Sequence, residues 1–272
     1  MDSKHPAHTF FVRPRLAPVR KLQDDYVSPE YLGANAIECL GLDFTSGTPL
    51  DPRTNKPERH AEPFTQLFPF KDMERAILAN KPWVSGGWTY DLDGWDTALD
   101  NWWHAKKIVD LLSLYLYNHH EADEDIEACG IIDSTGWRQR GVPPEYRLNR
   151  QDDAVKWAVI HIWHRETHKP EPHVVCALAD RVPLRDDQIS VPELRTILTL
   201  SGVRALDEGR GNRKRIPVTV VSAAGRQLRI VVGIVDSKNG TIEIREGPII
   251  DFSEGVKKNW KQWITTLCWI SG

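Results

Sequence analysis

The sequence predicts an α+β fold, with long helices in the N-terminal two thirds packed with a small antiparallel C-terminal sheet and a terminal helix. Three observations carry that expectation. Apolar residues recur near a period of 3.6 from Asp96 onward through Leu116, and again from 152 to 168. Prolines and turn residues break up the first seventy positions. Residues 216–252 read as β-rich runs parted by Ala-Gly and Asn-Gly turns.

In chain order, Pro6, Pro14, Pro18 and Pro29 make residues 1–30 an extended arm. Residues 31–70 remain turn-rich and read as an ordered loop region. A short helix follows at 71–80, with Met73, Ala76, Ile77 and Leu78 as its apolar positions. The central helix runs from Asp96, with Leu99, Trp102, Val109, Leu112 and Leu116 on one face, Asp93 as N-cap and Asp96 in the first turn. A second long helix is expected from Asp152 or Asp153 to about His168, carrying Val155, Ala158, Val159, Ile162 and Trp163 inward. Residues 173–182 (HVVCALADRV) read as a buried strand, and 191–200 open like a helix with Pro192 in the first turn. The late runs form a three-stranded meander over 216–252, covered by a terminal amphipathic helix from VKKNWKQWITTLCWI. Residues 1–272 are expected to form a single compact domain.

A hydrophobic content of 40% with 27% charged residues excludes wholesale disorder, and no apolar run has the length of a membrane span. The first residues lack the apolar core of a secretory signal, so a cytoplasmic protein is expected, with no membrane partner. Cys39, Cys129, Cys176 and Cys268 are widely spaced, which fits reduced thiols better than disulfides or a zinc knuckle. A net charge of -3 argues against an extended nucleic-acid surface and leaves room for local basic patches.

The best place for a site is WVSGGWTYDLDGWDTALDNWWHAKKIVDLLSLYLYN, residues 83–118. Asp91, Asp93 and Asp96 are the candidate catalytic carboxylates, and Trp88, Tyr90, Trp95, Trp102 and Trp103 the candidate substrate-binding aromatics. Carboxylates beside aromatic faces receive a cation, and a guanidinium suits them best because it pairs at two points and stacks on indole. The competing reading makes the acids caps and the tryptophans core. Two basic stretches are candidate phosphate contacts: Arg138, Arg140, Arg147 and Arg150 in the first, and Arg210, Arg213, Lys214 and Arg215 in the second. Solvated loops are the alternative for both.

Three further motifs bear on chemistry. On the expected second helix, His161, His164 and His168 fall at i, i+3 and i+7 and form one stripe, read either as a metal site or as dipole-favoured histidines. Tyr90-Asp91-Leu92-Asp93-Gly94 resembles the aspartate motif of haloacid-dehalogenase-type phosphatases, but SGGWTY stands where that family has a buried apolar strand. A metal-dependent hydrolase is therefore the lesser alternative. Ser85, Ser134 and Ser222 sit in no nucleophile elbow.

YVSPEYLG (26–33), EPFTQLFPFKDMERA (62–76), GWDTALDNWWHAKK (94–107) and the late IPVTVVS and RQLRIVVGIVD together resemble the fungal arginine-containing cyclodipeptide synthases, over most of the chain. The resemblance implies a tRNA-dependent transferase that joins arginine, from arginyl-tRNA, to a second amino acid from another aminoacyl-tRNA, giving a diketopiperazine. Ester-linked substrates arrive activated, so no cofactor, metal or obligate protein partner is implied; a pocket, a base and a proton shuttle suffice. A non-enzymatic binding or interaction protein is the alternative from a different class.

Overall fold

The computed structural model describes residues 17–58, 61, 63–80, 100–117, 131–140, 142, 156–165, 173–206, 215–236 and 239–272. Apolar runs on its strands are long and inward-facing on both sides, which calls for a sheet covered on two faces. Val174–Asp180 (VVCALAD) is buried at every position, and Arg215–Ala224 and Gln227–Asp236 nearly so.

The strands are β1 (Ile37–Gly41), β2 (Trp137–Arg140), β3 (Trp157–Arg165), β4 (Val174–Asp180), β5 (Arg215–Ala224), β6 (Gln227–Asp236), β7 (Thr241–Glu246) and β8 (Ile250–Asp251). The helices are α1 (Ala17–Val19), α2 (Pro29–Ala34), α3 (Phe70–Asn80), α4 (Asn101–Tyr117), α5 (Ile131–Ser134), α6 (Val191–Leu206) and α7 (Trp260–Ser271). One eight-stranded sheet runs β1-β7-β6-β5-β4-β3-β2, with β8 also on β6. Pairs β1/β7 and β4/β5 are parallel and the others antiparallel. Helix α6 makes the crossover from β4 to β5, as a parallel pair requires. On one face the sheet core joins residues of α3, α4, α5 and α7; on the other it joins residues of α2 and α6.

This mixed α/β architecture corrects the expected α+β arrangement of long helices with a small late sheet. The largest local correction is the expected helix over 152–168, whose described part is strand β3. A bulge between Val159 and His161 shifts its register. Trp157, Val159 and Ile162 therefore share the α6 face, while Ala158, Ile160 and Trp163 pack on the α4 face. A strand with both faces buried and one parity change imitates helical spacing. Two edge strands, β1 and β2, also replace expected loop, and Pro29 opens a helix capped by Ser28 where an arm was expected.

The other elements follow the sequence. Helix α3, strand β4, helix α6, the β5–β7 meander and α7 stand where their patterns place them. The Ala-Gly turn between β5 and β6 needs Gly225 at φ +56, a conformation that a glycine adopts without strain. Helix α4 is described from Asn101, and the Asp100 carboxylate accepts from the Trp103 N–H at 3.2 Å, in the place of an N-cap. The expected cap, Asp93, and the first-turn Asp96 lie outside the described residues. Among the described residues no helix is long and apolar enough to cross a membrane.

Candidate functional site

Each strand that ends near the start of α6 carries one inward polar residue where alternation would place another apolar one. Leu178 and Cys176 on β4 lead to Asp180, and Val218 and Val220 on β5 lead to Ser222. Arg229 precedes Val231 on β6, and Ile242 and Ile244 on β7 lead to Glu246. Period 2 puts these four polar side chains on the α6 face. Helix α6 contributes Glu193 from above through a capping box: the Ser190 N–H donates to Glu193 Oε2 at 2.8 Å, and the Glu193 N–H to Ser190 Oγ at 3.2 Å.

Arg229 organises the group. Its Nε and Nη2 donate to Glu193 Oε1 and Oε2 at 2.9 and 2.5 Å, a two-point pair with both side chains sealed from solvent. Nη2 also donates to the Gln188 carbonyl at 3.0 Å and Nη1 to the Arg185 carbonyl at 2.7 Å, which pins the turn between α6 and β4. Glu246 Oε2 stands 2.8 Å from Nη1 as a second carboxylate on the same cation.

Two carboxylates on one guanidinium cannot both be fully compensated. Burial opposes the charge on Glu193, but Arg229 and the Ser190 N–H outweigh it and hold the carboxyl below the usual range. Burial pushes Glu246 up to about 7 against the pull of Arg229, with Glu193, Asp187 and Asp186 adding like charge. Burial likewise pushes Asp180 up to about 7, against a hydrogen bond from the Val182 N–H. The Cys39 thiol is driven up to about 12 by burial and by Glu246, so it supplies no thiolate at neutral pH.

Glu246 opens onto a cleft of about 860 Å³, bounded by residues 41–57, 247–251 and the start of α7. Among the described residues its charged lining is Asp43, Asp186, Glu246 and Asp251 against the cation Lys261. The volume suits a small organic ligand, for which pockets span about 300–1,000 Å³. The excess of acids suits a positive one. Asp43 and Asp251 also hold their own turns, accepting from Ser46 and Ser253 N–H groups at 2.7 and 2.8 Å.

The residues singled out in the sequence are distributed differently. Asp91, Asp93, Asp96, Trp88, Tyr90 and Trp95 lie outside the described residues, as do Arg147, Arg150, Arg210, Arg213, Lys214 and His168. Trp102 is packed into the core on the α4 face, whereas its neighbour Trp103 is 53% exposed, so these two do not form one aromatic wall. Arg138 and Arg140 belong to edge strand β2, and Arg138 Nη1 donates to the Trp137 carbonyl at 3.3 Å. Arg215 opens β5, which two strands, β4 and β3, separate from β2, and lies 3.8 Å from Glu243. The arginines of the two stretches that are described thus sit apart.

The histidine stripe is undone by β3. His161 faces α4, 3.9 Å from Asp110, and meets Gln139 at 2.7 Å, while His164 is three residues on and points to the opposite face. No group of three or more metal-ligating side chains occurs among the described residues. Cys39, Cys176 and Cys268 are free thiols, as their spacing implies.

Sequence reasoning missed Glu193, Arg229 and Glu246, although signals existed. Ser190-Val191-Pro192-Glu193 is a capping-box spelling, and a charge at an inward position of an apolar strand demands a partner. No family model matches the chain, and no curated protein or solved structure is significantly similar to it.

Proposed function

We propose that the protein is an enzyme that binds a cationic substrate in the Glu246 cleft. In its specific form this is the tRNA-dependent cyclodipeptide synthase that the sequence resemblance implies, with the arginyl side chain as the cation. The observation that supports it is Glu246 itself: a mostly buried carboxyl, beside an arginine already matched by Glu193, at the wall of an acid-lined cleft. A carboxyl titrating near 7 both accepts and returns a proton at neutral pH.

In the proposed reaction the α-amine of one aminoacyl group attacks the ester carbonyl of the other. A C–N bond forms, the C–O bond to the tRNA ribose breaks, and the proton lost by nitrogen passes through Glu246 to the departing ribose oxygen. A second attack of the same kind closes the ring. Asp91, Asp93 and Asp96 remain the proposed catalytic carboxylates, and Trp88, Tyr90 and Trp95 the proposed substrate-binding aromatics.

Mass spectrometry of metabolites from a host expressing the chain tests the reading. An arginine-containing diketopiperazine is expected, and Glu246→Gln is expected to cut its formation by about 10²-fold or more. Absence of the product together with absence of tRNA binding removes the tRNA-dependent reading. Arginine use is expected to fall in D91N, D93N or D96N with the fold intact; unchanged use makes these aspartates caps.

One observation favours a binding protein without catalysis. Asp100, the described acid at the entry of α4, is taken up by the Trp103 N–H and by Arg181 at 2.8 Å, and Trp102 is core. Binding of L-arginine amide with no turnover of arginyl-tRNA selects that reading.

A further inference from the structure

A second cavity, of about 100 Å³, lies where the chain leaves α1 and meets the start of α6 and of β3. Arg20, Arg195, Lys156 and Trp157 line it. Arg195 lies over the Trp157 ring, 5.7 Å from its centroid, and its Nη2 donates to the Arg20 carbonyl at 3.0 Å. That bond is to the Arg20 main chain, and both residues line the same cavity.

Among the described residues neither guanidinium has a carboxylate within ion-pair distance. Of the two acids in the lining, Asp25 is taken by Lys156 at 2.6 Å and Asp24 is exposed at the rim. Burial and the neighbouring Arg20 charge both act against the cation of Arg195. The half-buried Arg195 cation, disfavoured by burial and by the Arg20 charge, is relieved by an anion.

The helix end itself is not the attraction. The Glu193 N–H is used by Ser190 Oγ, the Val191 N–H by the Asp25 carbonyl at 3.0 Å, and Pro192 has none. Recognition falls to the guanidinium forks, whose geometry matches phosphate oxygens.

We propose that Arg20 and Arg195 form an anion subsite that grips a phosphate group. The identity of its bearer rests on the reading above: the phosphate belongs to the RNA part of the substrate. The 182–191 segment joins the two places, since Val182 and Val191 line this cavity and Asp186 lines the acidic cleft. A molecule with a cationic amino-acid end and an anionic backbone meets both.

Filter binding of unfractionated tRNA at several salt concentrations, with calorimetry of inorganic phosphate, tests the subsite in the full chain. Wild type is compared with R20Q, R195Q and R195K, and with R75Q as a control at an exposed arginine of α3. R20Q and R195Q are each expected to weaken tRNA binding by about tenfold. The slope of log affinity against log salt should drop by about 0.7 in each, and R75Q should change neither. R195K keeps the charge without the fork and is expected to fall between. Because Arg20 is exposed, R20Q keeps the test open if R195Q fails to fold.

Wild-type tRNA affinity and slope in both R20Q and R195Q overturn the subsite, as does failure of the wild type to bind either phosphate or tRNA. Phosphate binding that R20Q and R195Q abolish, with no tRNA bound by any form, supports the subsite and overturns the tRNA reading instead.

Discussion

Arg229 and Glu193 face each other as fork and carboxylate, at 2.9 and 2.5 Å, with one partner on the sheet and the other on the helix above it. The pair joins β6 to the first turn of α6. Its arginine also holds the 185–188 turn, so the cleft wall that carries Asp186 depends on a bond made out of sight of the cleft.

Removing one partner leaves a buried charge without compensation, which costs about 3–5 kcal/mol. Arg229→Met is therefore expected to lower unfolding free energy in urea by about that amount. The double variant R229M/E193M should recover much of it, because apolar residues replace both charges. A single variant as stable as wild type contradicts the role given to the pair.

Acid titration gives a signed expectation. Glu246 and Asp180 have folded pKa values of about 7, above their ordinary 4.5 and 3.8, so between those limits the folded state holds protons that the unfolded state has released. Stability from these groups is present at low pH and is lost as pH rises through about 7, with a slope of up to about 1.4 kcal/mol per pH unit for each proton. Glu193 has the opposite sign, and its contribution is lost only as pH falls below the ordinary carboxylate range. Urea melts between pH 5 and 8 should show stability declining toward pH 7. E246Q and D180N should each flatten that decline.

Gly233 on β6 is packed against α6. A Cβ there would lie 2.3 Å from Ile197 Cγ2. G233A is expected to cost about 1–3 kcal/mol by overpacking. Adding I197A should make the combined loss smaller than the sum of the two single losses, since each change relieves the other. Additive losses in thermal melts refute the contact.

Trp269 on α7 donates its indole N–H to the Phe44 carbonyl at 2.8 Å in a buried setting. Phe44 lines the cleft, so this bond ties the terminal helix to the cleft wall. W269F leaves that carbonyl without its donor and is expected to cost about 1–3 kcal/mol. Hydrogen exchange should quicken in residues 42–48; protection unchanged there argues against the tie.

Legibility varied with pattern length and burial. The β4 run, the hairpin turn at Gly225 and the long apolar face of α4 carry many concordant positions, and each element was legible. Strands β1 (IECLG) and β2 (WRQR) are short edge strands mixing polar with apolar residues, so neither alternation nor an apolar run marks them. The bulge in β3 gave Val159 and Ile162 a helical spacing, and the sheet was underestimated as a result. Of the candidate site, the attraction for a cation was legible as a composition of acids. Its described acids come from the 41–57 loop, the turn before α6, and β7 and β8, which no local window brings together.

Among the described residues strand β1 finds its sheet neighbour in β7, with Ile37 opposite Ile242, about two hundred residues later. On the ribosome, at about 5–20 residues per second, that partner emerges roughly 10–40 seconds after β1 does. For this interval Ile37 and its neighbours have no ladder to join. The cleft wall built on Gly41 and Glu246 can be assembled only once β7 has emerged, after β4 to β6 have had time to pair.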